Sequence, residues 1–220
     1  MAVIEGGVAG LVAEVGQAAQ LGLHVINKPI AAIAHYRLSA RFLLIAAQAA
    51  NSRLFEFRNN HVSNLIIPTR LNVKWLQTAA HTAQISDSLD IFKVTGFTVL
   101  DTTNTVTPTA SRKRTSMAAP PGGADIRHVT VAGAAAGMTG GTLTKDGSAF
   151  AQLQRLMQLA VPTANDVLAA VLDALDDVNG THPWAFIQNE GFEIENRVLL
   201  GAAAGSEVVV DLSWAEVTFF

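Results

Sequence analysis

Not one of the 220 residues is cysteine, which excludes disulfides, thiolate metal sites and a cysteine nucleophile together. Stability must therefore come from packing. Charge is also scarce: Asp, Glu, Lys and Arg make up 15% of the chain, against roughly a quarter in ordinary soluble domains. A chain so short of charge is expected to hide surface against partners, either its own copies or a larger assembly. The net charge of −3 gives no long-range attraction to nucleic acid or to an anionic membrane, so neither is expected as a partner. The one basic run, Arg112-Lys113-Arg114, reads as a solvated turn. Long hydrophobic runs are missing too. Ile30 to Ala50 is broken by His35, Arg37 and Arg41, and its uninterrupted part, Phe42 to Ala47, is far below the ~20 helical residues that span a bilayer. The opening Met1 to Gly7 lacks the basic start and continuous apolar core of a signal peptide, so secretion by that route is not expected.

Recognisable site chemistry is equally sparse. The six histidines, at positions 24, 35, 61, 81, 128 and 182, form no His-x-x-x-His pair, so neither a metal site nor a cofactor is expected. Gly147-Ser148-Ala149 lacks the frame of a nucleophile elbow, and Gly133 to Gly141 lacks the Lys-Ser/Thr ending of a phosphate loop. Asp173, Asp176 and Asp177 read as the solvated side of a helix. Glu190, Glu193 and Glu195 invite comparison with a glycosidase pair. Glu193 and Glu195, however, alternate with Phe192 and Ile194, which puts both on the outer face of a strand, in water. Trp75 and Trp214 fall in strand patterns and are expected in the core, as opposed to stacking on a sugar or base; Trp184 is the third tryptophan. No residue is assigned a catalytic role.

What the chain does have is alternation of period two. Tyr36, Leu38, Ala40, Phe42 and Leu44 alternate with Arg37, Ser39, Arg41 and Leu43. Leu54 to Arg58 alternates again, and in Arg70 to Gln77 the residues Leu71, Val73 and Trp75 point one way while Arg70, Asn72 and Lys74 point the other. Asp90 to Leu100 and Asp125 to Val131 are further strands, separated by a Thr-rich loop from Asp101 and by the break Pro120-Pro121-Gly122-Gly123. At the C-terminal end Phe192 and Ile194, then Val208, Val210, Leu212 and Trp214, predict a β-hairpin with its turn at Gly201 to Ser206. Repeated strands with turns between them predict a mainly β fold, an antiparallel sandwich or barrel-like domain over residues 31–220. Two segments depart from this pattern. Ala151 to Val178 carries helical stripes, with Thr163 or Asn165 as cap, and predicts a helical insertion; buried strand is the alternative there. Residues 1–30 carry the stripe Val8, Leu11, Val12, Val15, Ala18, Ala19 and Leu23, interrupted by glycines. They predict a partly helical N-terminal arm that orders on a neighbour, with Leu11, Val12, Val15 and Leu23 as its assembly contacts; a frayed terminus is the alternative.

Taken in order, Leu54-Phe-Glu-Phe-Arg58, Asn64-Leu65, Lys113-Arg-Thr-Ser-Met117, Asp125-Ile-Arg127, Gln188-Asn189-Glu190-Gly191-Phe192 and Leu212-Ser213-Trp214-Ala-Glu-Val217 resemble a widespread group of tailed-bacteriophage virion proteins. The resemblance covers roughly Tyr36 to Val217, and Gln188 to Phe192 is its most specific motif. The chain departs from the group's pattern between Ala151 and Val178. The resemblance implies a β-sandwich structural subunit without enzymatic activity, located in the virion, forming a trimer or larger ring and contacting the major capsid protein or other virion proteins. A head decoration or cement protein is the first expectation, and a tail or neck adaptor that contacts the host is the alternative. A carbohydrate-binding or hydrolytic sandwich using an exposed tryptophan with Glu193 or Glu195 is the third.

Overall fold

The computed structural model describes residues 4–6, 11–13, 32–113, 118–160, 167–172, 184–201 and 205–218. Every regular element among these residues is a strand. The chain divides into two units, Met1–Ile30 and Ala31–Phe220.

In the first unit β1 (Ile4–Gly6) pairs antiparallel with β2 (Leu11–Ala13), Glu5 opposite Val12. Leu11 and Val12 therefore lie on a strand and not on the expected helix; Val15 and Leu23 lie outside the described residues. The glycines at 6, 7 and 10 weaken a helix in this part of the sequence, which accounts for the difference.

The second unit is built on eight strands: β3 (Ala32–Ile45), β4 (Ser52–Asn59), β5 (Leu65–Gln77), β6 (Ile85–Val99), β11 (Ala151–Met157), β12 (Val167–Leu172), β13 (Gly191–Asn196) and β14 (Gly205–Val217). Between β6 and β11 come four short strands, β7 (Thr105–Val106), β8 (Ser111–Arg112), β9 (Ala124–Val129) and β10 (Thr142–Lys145). One sheet runs β12-β5-β14-β3-β8; the other runs β6-β13-β4-β9-β7, with β10 and β11 both pairing β6. β3 to β6 alternate between the two sheets. The sheet cores, β12-β5-β14-β3 and β11-β6-β13-β4, are together the strand order of a jelly roll, two Greek keys folded over one core.

That order overturns the C-terminal hairpin. β13 and β14 lie in opposite sheets, β13 between β4 and β6, β14 between β3 and β5. Both strands are alternating and apolar enough to pair with each other, but each is instead the central strand of its own sheet, where it gains two partners. The helical insertion is overturned as well. β11 pairs with β6 from Ala151 opposite Ile91 to Met157 opposite Ile85, and β12 pairs with β5. Leu153, Arg155 and Met157 are buried while Gln152, Gln154 and Leu156 are exposed, a period of two that the helical reading of Leu153, Leu156 and Met157 obscured. Thr163, Asn165, Asp173, Asp176 and Asp177 lie outside the described residues.

The core fills the space between the sheets. Tyr36, Phe42, Trp75, Val208, Val210 and Trp214 come from one side, and Phe55, Phe57, Ile91, Ile126, Phe192 and Ile194 from the other. Trp75 and Trp214 are fully buried, as expected of core residues. Trp214 packs on Tyr36 at 5.4 Å and edge-on to Phe57 at 5.5 Å, tying the sheets together; burying each phenylalanine is worth about 2–3 kcal/mol before ordering costs.

Candidate functional site

The two outer faces of the sandwich differ in chemistry, and both carry charge. On the five-stranded sheet the outward positions of three neighbouring strands line a groove of about 450 Å³: Arg37 and Ser39 from β3, Asp211 and Ser213 from β14, Arg70, Asn72 and Lys74 from β5, with Thr109 and Ser111 at its rim. Register creates it. Ser213 stands opposite Arg37 on one side and Arg70 on the other, and Asp211 stands between Ser39 and Asn72. The ladder shifts at Ser213/Trp214, where Trp214 faces Pro68 and Thr69 is the extra residue; proline has no N–H to give the ladder, so a bulge falls there.

Asp211 is committed within the face: Lys74 Nζ lies 2.8 Å from one carboxylate oxygen and the Ser39 hydroxyl donates to the other at 2.7 Å. Burial pushes its pKa up, but the bonds from Lys74 and Ser39 and the charges of Lys74 and Arg70 outweigh that and hold it below the ordinary aspartate value. Arg37 and Arg70 are exposed, and neither pairs with a carboxylate among the described residues. Beyond the groove, Arg41 is paired with Glu207 at 2.6 Å.

The outer face of the other sheet is covered. Glu193 faces Glu56 across β4 and Phe92 across β6, and Glu195 faces Arg53 and Asp90. These glutamates point away from the core, as the alternation predicted, but they are not in water: Glu193 is 0% exposed and Glu195 5%. The correction has a tertiary cause. Past β6 the chain turns back over this face, so that the Asp101 N–H donates to Glu56 Oε2 at 3.1 Å, and Arg53 reaches Asp101 at 2.9 Å. From the end of β10, Lys145 Nζ contacts Glu193 at 2.9 Å and Glu195 at 2.5 Å, and sits 4.2 Å above the Phe92 ring. Four carboxylates thus share two cations in low dielectric. Burial first, then the Asp101 charge, push Glu56 up to about 8 against the pull of Arg53. Burial and the Glu195 charge push Glu193 up to about 7 against Lys145. Such a pair of raised acids suits proton exchange, and Lys145 and Asp101 close over it. Among the described residues no group of three or more acidic or histidine side chains is placed to hold a metal ion.

The resemblance motif serves the architecture. Residues 187–190 form a turn in which the Glu190 N–H donates to the Ile187 carbonyl at 3.1 Å and the Glu190 carboxylate accepts the Ile187 N–H at 3.2 Å. Asn189 takes the left-handed φ of 66°, which asparagine tolerates, and donates its N–H to Asn59 at 2.7 Å. Gly191 passes so close to β4 that a Cβ there would lie 1.8 Å from the Phe57 carbonyl oxygen. Phe192 then stacks on Phe55 and Phe57, Gln188 is exposed on the turn, and Trp214 is in the core. Trp184 is half-buried against Phe150 at 4.1 Å. Of the residues named from sequence, only the Glu193 and Glu195 pair is brought together into a charged cluster. The groove was not assembled from sequence, although its parts were visible as the polar sides of β3 and β5; the missing information was that β14 stands between them.

The chain matches no protein-family model, and no curated protein matches it.

Proposed function

We propose that this chain is a non-enzymatic structural subunit of a tailed-bacteriophage virion, a head decoration protein that cements the outer capsid lattice. The observation that carries this reading is the jelly-roll strand order, an architecture used repeatedly for particle subunits, joined to the ordered motifs from Leu54 to Val217. The step from fold to role is an analogy, since the same fold also serves lectins and enzymes. It is supported by the use made of the motif residues: Asn189, Glu190, Gly191, Phe192 and Trp214 set a turn, a close strand approach and a core. The separate N-terminal unit supplies the arm, with Leu11, Val12, Val15 and Leu23 docking on capsid or on an adjacent copy. The partner is the major capsid protein, and the subunit works as a homo-oligomer, a trimer in the simplest case, gaining strength from many copies.

Copy number per particle, measured by quantitative mass spectrometry, and position in a particle reconstruction test the proposal. A lattice-wide complement on the head is the expected result. A single ring's worth of copies at the tail or neck replaces the decoration role with an adaptor role, and absence from the particle overturns the virion reading. Deleting residues up to Val25 is expected to lower head occupancy; unchanged occupancy removes the arm from the proposal.

A further inference from the structure

We propose that the groove on the five-stranded sheet is a binding site for an oxyanion, a sulfate or phosphate group held between Arg37 and Arg70. Ser213 is the neighbour of both arginines in the ladder, so their Cα atoms stand two strand spacings apart, about 9.5 Å. At that separation two long guanidinium side chains converge over a small residue on a single tetrahedral anion, each offering two N–H donors. Between them the floor is hydroxyl-bearing, with Ser213 below and Ser111 and Thr109 at the rim, while the Ser39 hydroxyl is already given to Asp211.

Asp211, the one carboxylate among the described residues of the groove, does not compete. Asp211 is neutralised by Lys74 and held by Ser39, which turns it from a repellent charge into a support that fixes the Lys74 ammonium at the groove wall. Three cations against one carboxylate leave the lining net positive, on a chain whose overall charge is −3. The positive field is therefore local and built by register, not a reflection of composition.

The lining narrows the ligand further. Among the described residues no aromatic ring lines the groove, which removes the stacking platform that a neutral sugar or a base would use.

Nuclear magnetic resonance titration of the full chain with sodium sulfate and with sodium phosphate, at ionic strength held constant with chloride, tests the site. Saturable amide shifts at Arg37, Ser39, Arg70 and Ser213 are expected. The Arg37→Ala/Arg70→Ala variant is expected to weaken binding about tenfold or more, the loss of at least one charge-assisted contact, while folding as the parent does because both side chains are exposed. Arg41→Ala, on the same sheet but outside the groove, is expected to change affinity by less than about twofold. A sulfated disaccharide in a second arm separates the sources: tighter binding through the same residues assigns the anion to a glycan, and equal binding assigns it to the free ion. Absence of saturable shifts, or equal weakening by Arg41→Ala, overturns the site.

Discussion

The two outer faces of this sandwich start from similar material and end in opposite states. Each presents charged residues from three adjacent strands. On the five-stranded sheet the charges remain in solvent, Asp211 pairs with Lys74 and Arg41 with Glu207, and two arginines are left over. On the seven-stranded sheet Leu100 and Asp101 fold back over the strands and Lys145 closes from β10, so that Glu56, Asp101 and Glu193 are each fully buried. The lesson is that which way a strand residue points does not decide whether water reaches it. Covering decides, and covering turns the same carboxylates from inert surface into raised acids whose energies depend on every neighbour.

The strongest way to break the comparison is to remove a cation from the covered face. Arg53→Met leaves Glu56 and Asp101 buried without their shared guanidinium and is expected to cost about 3–5 kcal/mol, seen as a lower urea midpoint. An unchanged midpoint means that this face opens to water in solution. Gly191→Ala comes next. The new methyl collides with the Phe57 carbonyl where β13 enters the sheet, a loss of about 1–3 kcal/mol that thermal unfolding measures.

The pH dependence sharpens the contrast. Unfolded glutamates titrate near 4.5, whereas folded Glu193 and Glu56 hold their protons to about 7 and about 8. Between these limits the folded state binds more protons, so their contribution to stability is complete below pH 4.5 and is lost as pH rises toward 8. Glu193→Gln is therefore expected to be neutral or stabilising at pH 8, by on the order of 1 kcal/mol, and to flatten the profile from denaturant titrations across that window. On the open face the sign reverses for Asp211. Its pKa is depressed, so its contribution is present above the ordinary value of 3.8 and disappears as pH falls through the folded one. The smallest effect belongs to the open face as well: Arg41→Ala breaks an exposed pair and is expected to move stability by no more than about 1 kcal/mol in a melting curve.

Much of this architecture is legible in the sequence. The alternation in Tyr36 to Leu44 and Arg70 to Gln77 marks β3 and β5 with their wet and dry sides, and Trp75 and Trp214 belong where their neighbours place them, in the core. Local pattern failed where a segment satisfies two periods at once. Leu153 and Met157 lie four apart, which suits one helical face and one strand face equally; only the free edge of β6, waiting for a partner, selects the strand. Pattern also failed at the C-terminal end, because alternation reports a strand's faces and carries no information about which strand lies beside it.

The sequence alone therefore determined the period, the dry sides of the long strands and the absence of thiol chemistry, all of which depend on residues adjacent along the chain. Tertiary structure decided the rest. β13 and β14 part company because each completes the middle of a different sheet, Glu193 and Glu195 leave water because a distant turn and Lys145 close over them, and Arg37 and Arg70 line one groove because β14 sets Ser213 between them. Those outcomes rest on contacts between residues far apart along the chain, from 50 positions for Lys145 and Glu195 to well over a hundred for β14 and its two partners, whose free energy appears only when the chain has closed on itself.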